Sequence, residues 1–414
     1  MRRAAILLAL GLAVAPARGA DEARPPLLDL RDGDRVVFLG DAFTERGQAF
    51  GYLETMLTVA RPHANVEYRN LGWSGDTVFG EARAGFGTAE DGFKHLREHV
   101  AAIKPTVLII GYGANESFAG ETGLPAFRSG YARLLDALQA GKPRQIILLS
   151  PIPAENLGLP LPDPAAHNRD LASYRDAIRA IADERKLGFV DLFGLLNEVK
   201  PAPKPVRHVY TESITDDGIH PTAVGYRFID ELLTAKLGMG SVGWKAKIGS
   251  GGTLVSASGI KIEAIEKLDS GFRFRALDER LAGPRFPDAT NERREDPTLT
   301  IRVLPPGQYV LKIDGSPVAT RDADNWAVGV SITRGPSIDQ VEALRKAIVA
   351  KNQLYFYRWR PQNETYLFGF RKHEQGQNGR EIPQFDPLVA AKEAEIARLR
   401  VPVAHTYELV REGN

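Results

Sequence analysis

The sequence predicts an α/β protein whose main domain is a three-layer, doubly wound parallel sheet, followed by a small all-β module and a helical tail. From residue 35 to about 237, short apolar strand patterns alternate with helical patterns, as in parallel sheets with helices on both faces. After residue 240 apolar residues recur at every second position, and after residue 335 helical patterns return. We therefore expect domains over residues 33–240, 241–334 and 335–414.

The composition permits a large packed core. The chain has 414 residues, 43% of them hydrophobic, and its 53 Lys and Arg residues nearly balance 52 Asp and Glu residues. This balance argues against a nucleic-acid partner held by bulk charge. The chain contains no cysteine, so neither a disulfide nor a lipid anchor on cysteine is expected.

The first 20 residues have the pattern of a secretory signal. Arg2 and Arg3 precede an apolar run over residues 4–14, and small residues follow up to Ala20. The run is shorter than the roughly 20 residues that span a bilayer, and no later run is longer. We expect residues 1–20 to be removed and the mature protein to be secreted or periplasmic, without a membrane span. A retained, uncleaved segment is the alternative.

Five apolar patterns are the expected strands of the main sheet. The first covers residues 36–40 and is apolar throughout, which suits a strand buried on both faces. The other four cover residues 66–71, 106–111, 145–149 and 188–192. A helical pattern follows each strand, near residues 46–60, 88–102, 125–140, 168–186 and 221–236.

Polar or glycine-rich stretches follow three of these strands. Leu71-Gly-Trp-Ser-Gly-Asp76 follows the second strand, Gly111-Tyr-Gly-Ala-Asn-Glu116 follows the third, and Asp216-Asp-Gly-Ile-His-Pro221 lies beyond the fifth. Each alone is more often a turn or a helix cap. Ligands of parallel α/β sheets bind beyond the carboxyl ends of the strands, so together the stretches predict one site.

In this order the three stretches, with Gly40-Asp41-Ala42 at the end of the first strand, resemble the four blocks of the SGNH or GDSL-type hydrolases over roughly residues 33–237. The resemblance implies a flavodoxin-like sheet and hydrolysis of esters, and we expect no metal and no cofactor. The family has Gly-Asp-Ser in the first block, so the position of its serine nucleophile is occupied by Ala42. The stretch Glu45-Arg46-x-Gln48 and the carboxyl-terminal third further resemble a divergent exported bacterial branch.

The resemblance also implies roles for four other residues. Gly75 would supply a backbone N–H and Asn115 a side-chain amide to an oxyanion hole, Asp217 would orient a histidine, and His220 would be the general base. The residues themselves support the last two roles, because a histidine base needs an acceptor on its other ring nitrogen and Asp217 lies three residues away. Pro221 suits the first position of the helix that follows.

Three candidates could replace the missing nucleophile. Thr44 lies two residues after Ala42, although at that offset its side chain should point elsewhere, and Ser74 lies next to the oxyanion glycine. A water activated by His220, in the space left by the absent hydroxymethyl group, is the third. We expect Ala42 and the imidazole to face each other across such a gap.

Further side chains are candidates for substrate contact. Asp41, Trp73 and Tyr112 lie next to the predicted blocks, and Trp73 and Tyr112 are equally compatible with the core. Two Pro-rich stretches, residues 151–164 and 200–205, are either the rim of the pocket or rigid connectors.

The carboxyl-terminal third combines strands and helices. Period-two patterns at residues 253–255, 260–265, 271–274, 298–303, 309–313 and 326–332 predict a small sandwich, and residues 337–351 and 386–399 predict helices. The segment 353–373 between these helices is rich in aromatic residues and arginine. It either packs against the main domain or brings Arg358, Arg360 and Asn363 to the pocket wall.

The sequence therefore predicts an exported ester hydrolase that deacylates a carbohydrate or another small ester. The alternative is a catalytically silent protein of the same fold that binds a glycan or a partner, because Ala42 provides no nucleophile. A small-molecule or carbohydrate ester is the expected partner, and nucleic acid is not.

Overall fold

The computed structural model describes residues 26–198, 213–240, 243–285, 296–361, 364–375 and 378–412. The predicted signal at residues 1–20, the Pro-rich stretch at residues 200–205 and Asn363 lie outside the described residues.

The main domain is built on a parallel sheet. Its strands are β1 (Arg35–Gly40), β2 (Glu67–Asn70), β3 (Val107–Gly111), β4 (Gln145–Leu149) and β5 (Gly188–Val190). They are hydrogen-bonded in the order β2-β1-β3-β4-β5, and every neighbouring pair is parallel. The helices are α1 (Ala42–Gly47), α2 (Tyr52–Ala60), α3 (Ala89–Ile103), α4 (Gly120–Gln139), α5 (Ala165–Arg185), α6 (Leu192–Glu198) and α7 (Ala223–Lys236).

Alternate strand residues face two separate layers of helices. Val37 and Leu39 of β1 belong to a core with buried residues of α3, α4 and α5. Val36 and Phe38 belong to a second core with residues of α2 and α7. The two layers of helices confirm the prediction of a three-layer, doubly wound domain. A sheet that is buried on both faces needs apolar residues at consecutive positions, which is why β1 is apolar throughout.

The first predicted helix, residues 46–60, is in fact two helices. α1 already begins at Ala42, because Asp41 caps it, and α2 begins after Gly51, whose φ of 66° lies in the left-handed region. A Cβ on Gly51 would also lie 2.9 Å from Val349 Cγ2, so glycine suits this position for two reasons.

The second domain is a sandwich of two sheets. Its strands are β6 (Lys245–Ile248), β7 (Leu254–Ser258), β8 (Ile260–Ile262), β9 (Glu266–Leu268), β10 (Gly271–Asp278), β11 (Thr298–Ile301), β12 (Gln308–Ile313), β13 (Ser316–Asp322) and β14 (Val330–Ser331). We predicted one strand over residues 326–332. The first part of this segment instead belongs to helix α8 (Ala323–Val328), which is capped by Asp322 and buries Trp326, and only Val330 and Ser331 form a strand, β14.

The tail contains α9 (Pro336–Trp359), α10 (Glu364–Leu367), α11 (Phe385–Leu399) and a strand, β15 (His405–Arg411). β15 lies between β10 and β12 in the larger sheet, and its Tyr407 and Leu409 are buried in the core that both sheets share. The last strand of the sandwich therefore comes from the tail, so a boundary at residue 334 divides this core. In the part of the chain that the structure describes, no helix is long and apolar enough to cross a bilayer.

α9 joins the tail to the main domain. Lys351 Nζ lies 2.7 Å from Glu54 Oε1 of α2 and donates to the carbonyl of Tyr68 at 3.0 Å, and the Lys351 side chain is fully buried. Trp359 and Tyr355, near the end of the helix, pack on the core that includes α3. The start of the aromatic segment thus packs against the main domain, as the first of its two interpretations expected.

Candidate active site

The site lies where the strand order reverses, between β1 and β3. Gly40 and Gly111 pair at the carboxyl ends of these strands, and a cavity of about 70 Å³ opens beyond them. In parallel α/β sheets this reversal leaves a crevice for ligands. The cavity is lined by residues from both strand ends and from later loops, among them Ala42, Asn115 and His220.

Asp41 fixes the start of α1 and therefore the position of Ala42. Its Oδ1 accepts a hydrogen bond from the Phe43 N–H at 3.0 Å, and its carbonyl accepts from the Glu45 N–H at 3.0 Å. Asp41 is buried, and burial followed by the charge of Glu116 raises its pKa to about 7. Asp41 also lines the cavity, so it remains a candidate for substrate contact.

Asp217 and His220 form a hydrogen-bonded pair. The ring Nδ1 lies 2.7 Å from Asp217 Oδ2, while Oδ1 of the same carboxylate accepts from the backbone N–H groups of His220 and Ile219 at 2.9 and 3.1 Å. Burial raises the pKa of Asp217, but these hydrogen bonds outweigh it and lower the pKa to about 2. The carboxylate is thus ionised at neutral pH and favours the His220 tautomer with the proton on Nδ1.

The loop that carries this pair is held by Glu155. Its carboxylate accepts from the Thr215 N–H at 2.9 Å, and its backbone N–H donates to the Gly218 carbonyl at 2.7 Å. The helix that follows is capped by Thr222, whose side chain accepts from the Gly225 N–H. Pro221 therefore precedes the cap rather than occupying the first helical position as we predicted, because Thr222 offers a hydroxyl that can satisfy a free N–H.

Asn115 is joined to the loop that carries Gly75 by a hydrogen bond to the next residue of that loop, Asp76. Asn115 Nδ2 donates to the carbonyl of Asp76 at 2.7 Å, directly after Gly75 in the chain. A side-chain amide carries two N–H donors, so one remains. Gly75 has a φ of 80° and is exposed, and its N–H donates to no protein acceptor among the described residues. Gly75 itself does not line the cavity, but its loop is tied to Asn115, which does.

Glu116 is a site residue that sequence reasoning missed. Its Oε1 accepts from the Val78 N–H and its Oε2 from the Gly113 N–H, both at 2.9 Å. One carboxylate therefore joins the loop after β2, which carries Gly75, to the loop after β3, which carries Asn115. Only its position next to Asn115 could have drawn attention to it.

Two of the candidate nucleophiles lie away from the cavity. Thr44 lines a separate cavity beside Phe38 and Tyr226, and its Oγ1 would lie 2.4 Å from a Cβ placed on Gly40. Ser74 is exposed, and its N–H donates to Glu45 Oε2. Ser150 does line the cavity, but its hydroxyl donates to the Pro151 carbonyl and accepts from the Phe193 N–H.

The candidate substrate contacts other than Asp41 are engaged by protein groups. Tyr112 borders the cavity, but its side chain is buried and its hydroxyl donates to Asp76 Oδ2 at 3.0 Å. Trp73 stacks under the guanidinium of Arg360, whose carbon lies 3.6 Å from the ring centroid. Arg360 pairs with Glu45 at 2.8 Å, and Arg358 pairs with Asp386 at 2.7 Å. Trp73, Arg358 and Arg360 thus contribute to packing rather than to the cavity wall.

The far wall of the cavity is apolar and was only partly anticipated. It includes the Pro-rich stretch at Pro151 and Pro153, with Ile152 between them, so this stretch does form part of the pocket. Phe118 stacks on His167 with their ring centroids 4.2 Å apart, and 68% of Phe118 is exposed. Neither ring was identified from the sequence, because they come from segments about fifty positions apart.

Comparisons with known proteins show a family match over part of the chain and a similar overall fold. Residues 38–228 match the model of the GDSL-like lipase/acylhydrolase family. The gut microbial diltiazem-metabolizing enzyme BT4096 is 17% identical, with a TM-score of 0.70 over 93% of this chain and 99% of its own. The acetylxylan esterase Axe2 from Geobacillus stearothermophilus is 22% identical, with a TM-score of 0.38 over 51% of this chain and 97% of its own. No curated protein matches the chain in sequence.

Proposed function

We propose that the protein is a hydrolase that removes a small acyl group from a neutral ester, such as an acylated carbohydrate, because residues 38–228 match the model of the GDSL-like lipase/acylhydrolase family. The observation that carries the proposal is the Asp217–His220 pair, 2.7 Å apart, beside a cavity that Ala42 and Asn115 also line. A base and a hydrogen-bond donor thus border one space, and the carboxylate that orients the base is bonded to its other ring nitrogen.

We propose water as the nucleophile of this chain. Thr44 and Ser74 do not line the cavity, and the hydroxyl of Ser150 is engaged. The Nε2 of His220 has no protein partner within the described segments, so it is available to take a proton. As the water oxygen attacks the ester carbonyl, its proton passes to Nε2, and the same proton then goes to the departing alkoxide. Asp217 stabilises the imidazolium that exists between these steps.

The oxyanion of the tetrahedral intermediate would be bound by two donors. One is the second amide N–H of Asn115, which lines the cavity and is left over by the bond to the Asp76 carbonyl. The other is the N–H of Gly75, which lies outside the cavity lining, on the loop that this bond holds. Loss of one such donor typically costs about 3 kcal/mol of transition-state stabilisation. With a water as nucleophile in place of a serine, these donors and substrate binding supply most of the rate acceleration. This acceleration is roughly 10³ to 10⁴ relative to the uncatalysed reaction in water.

The cavity walls favour an uncharged substrate. No lysine or arginine lines the cavity in the described part of the chain, whereas Pro, Ile and Leu side chains do. A buried apolar wall without a cation penalises an anionic acyl group. The exposed face of Phe118 offers a flat apolar surface on which the ring of a sugar can pack, which supports an acylated carbohydrate as substrate.

The cellular location is also a proposal. The basic and then apolar pattern of residues 1–20 supports export with cleavage near Ala20. Expression of the full chain in a bacterium, followed by mass measurement of the periplasmic protein, would show a loss of about 20 residues if this is correct. A full-length protein in the membrane fraction would contradict it.

The test of the proposed function compares the wild type with Ala42→Ser in hydrolysis of p-nitrophenyl acetate. A serine hydroxyl at this position would meet a base and oxyanion donors already in place, so we expect a gain of about a hundredfold or more. A folded Ala42→Ser protein with no gain would contradict the arrangement of base and donors proposed here.

A second function, binding without turnover, is favoured by Ala42 itself. In that case the wild type and His220→Ala would both bind an acylated oligosaccharide without hydrolysing it. Slow hydrolysis by the wild type that disappears in His220→Ala would instead support the hydrolase. Titration calorimetry with the acylated sugar, beside the hydrolysis assay, separates the two.

A further inference from the structure

The end of α9 lies against the loop after β2. Arg360 is the residue directly after this helix, and one of its terminal nitrogens lies 2.8 Å from Glu45 Oε2 in α1. The same oxygen accepts from the N–H of Ser74 at 2.5 Å. One carboxylate oxygen therefore connects the tail, the helix that begins with Ala42 and the loop that contains Gly75.

Trp73, in the same loop, is held from two sides. Its backbone N–H donates to the Gly40 carbonyl at 2.9 Å, which ties the loop to the end of β1. Its ring lies under the guanidinium of Arg360 and meets Trp359 edge to face, with the ring centroids 5.8 Å apart. Glycine at position 72 allows this approach, because a Cβ there would lie 2.3 Å from the Glu45 N–H nitrogen.

α9 is rigidly placed before it reaches this loop. The buried contact between Lys351 and Glu54 fixes its middle, and Arg345, earlier in the helix, donates to the Phe50 carbonyl at 2.7 Å. The Arg360 side chain is 25% exposed and the Glu45 side chain 19%, so their contact is partly shielded from water. A charged hydrogen bond in such a position is both stronger and more directional than one in open solvent.

We infer that Arg360 is a positioning residue that sets the orientation of the Gly75 N–H through Glu45 and Trp73. The tail thus completes the active site of the main domain without touching the substrate. This role replaces the direct substrate contact that the sequence suggested for Arg360. Its effect on turnover rests on the proposed function, whereas its effect on the loop does not.

The kinetic test uses the Ala42→Ser background. A donor displaced by about 1 Å can cost up to about a hundredfold in rate, so we expect Arg360→Ala to lower kcat about tenfold or more with KM within about twofold. Arg360→Lys should recover part of kcat, because it retains the charge but not the stacking on Trp73. Arg358→Ala is the matched control, since Arg358 pairs with Asp386 in the tail and should leave kcat unchanged.

A second test does not depend on activity. Hydrogen exchange is measured by mass spectrometry in the wild-type background, where we expect Arg360→Ala to speed exchange in peptides that contain residues 72–76, and Arg358→Ala not to. Faster exchange throughout α9 and β1 would indicate general destabilisation and would overturn the proposed local role.

The two tests fail in distinguishable ways. If Ala42→Ser has no activity while exchange changes only in the loop, the proposed function is wrong and the role of Arg360 stands. If Arg360→Ala changes neither kcat nor exchange, the role of Arg360 is wrong whatever the activity of Ala42→Ser.

Discussion

At the scale of single residues, Asp216 and Asp217 are neighbours with different partners. Asp217 holds the ring of His220 at 2.7 Å, whereas the Asp216 side chain lies 3.6 Å from Arg46 at the surface. We expect Asp217→Asn in the Ala42→Ser background to lower kcat by about 10⁴, because an amide favours the wrong tautomer of the histidine. The measurement is the steady-state rate on p-nitrophenyl acetate.

Asp216→Asn is the control for this prediction. Its pair with Arg46 is exposed, and such pairs contribute roughly 0 to 1 kcal/mol to stability, so turnover should stay close to that of Ala42→Ser. Equal losses in both variants would mean that the loop, and not the contact with His220, determines the rate.

The residue patterns could predict the pair but not the network around it. Asp217 and His220 are three positions apart, so their contact is local and can be read from the sequence. Glu116 joins the loops after β2 and β3 through contacts to Val78 and Gly113, and the first of these spans 38 positions. Tyr112 likewise turns inward because Asp76, 36 positions away, accepts its hydroxyl. Such partners are set by the packing of separate loops, which no local pattern contains.

At the scale of elements, the buried contact between α9 and α2 provides a stability test. Lys351→Met would leave Glu54 buried without its partner, and burial already raises the pKa of Glu54. Breaking a buried pair from one side typically costs about 3 to 5 kcal/mol, so we expect a loss of this size in denaturant-induced unfolding.

Lys346→Met on the same helix is the control. The Lys346 side chain is 73% exposed and lies 3.9 Å from Glu342, so its loss should change the unfolding free energy by less than about 1 kcal/mol. The double variant Lys351→Met with Glu54→Leu should recover much of the stability, because it removes both buried charges. If Lys351→Met unfolds like Lys346→Met, α9 is not held by this pair.

Element boundaries were predictable where the local signal was complete. The strand β4 was predicted at its observed bounds, because its apolar run is continuous and polar residues flank it. Trp326 was assigned to a strand although it lies in α8, since the cap by Asp322 outweighs the β preference of the aromatic residue. β15 was not predicted at all, because its two partners, β10 and β12, precede it by about a hundred residues or more.

At the scale of the whole molecule, β15 makes the sandwich depend on the end of the tail. Leu409 is fully buried and lies opposite Phe272 and Leu311 on the two neighbouring strands. We expect Leu409→Asp to disrupt the sandwich, because it places an unpaired carboxylate in the shared core. Limited proteolysis should then cleave within residues 243–285 and 296–334.

The control for this prediction is the adjacent residue. Glu408 pairs with Arg273 at the surface, and Glu408→Ala should leave the proteolysis pattern unchanged. Equal resistance of Leu409→Asp and Glu408→Ala would show that the sandwich does not need its last strand.

The pH dependence of stability depends on carboxyl groups buried in the main domain. Burial raises the pKa of Asp230 to about 7, although the hydrogen bond from the Leu53 backbone and the charge of Arg227 both lower it. Burial likewise raises the pKa of Asp41 to about 7. Between about pH 4 and pH 7 the folded protein therefore keeps protons that the unfolded chain has lost. The stability that each group contributes falls as pH rises through this window, by roughly 1.4 kcal/mol for every pH unit.

Asp230→Asn should remove part of this dependence. The amide cannot ionise, so we expect the unfolding free energy of the variant, relative to the wild type, to increase from about pH 5 to pH 8 in denaturant titrations. Carboxyls with a lowered pKa, such as Asp217, titrate below about pH 4 and do not oppose the change in this window. The exposed Asp176→Asn is the control and should follow the wild type at both pH values. A parallel response of Asp230→Asn and Asp176→Asn would mean that Asp230 ionises normally despite its burial, and that α7 tolerates a buried charge next to α2.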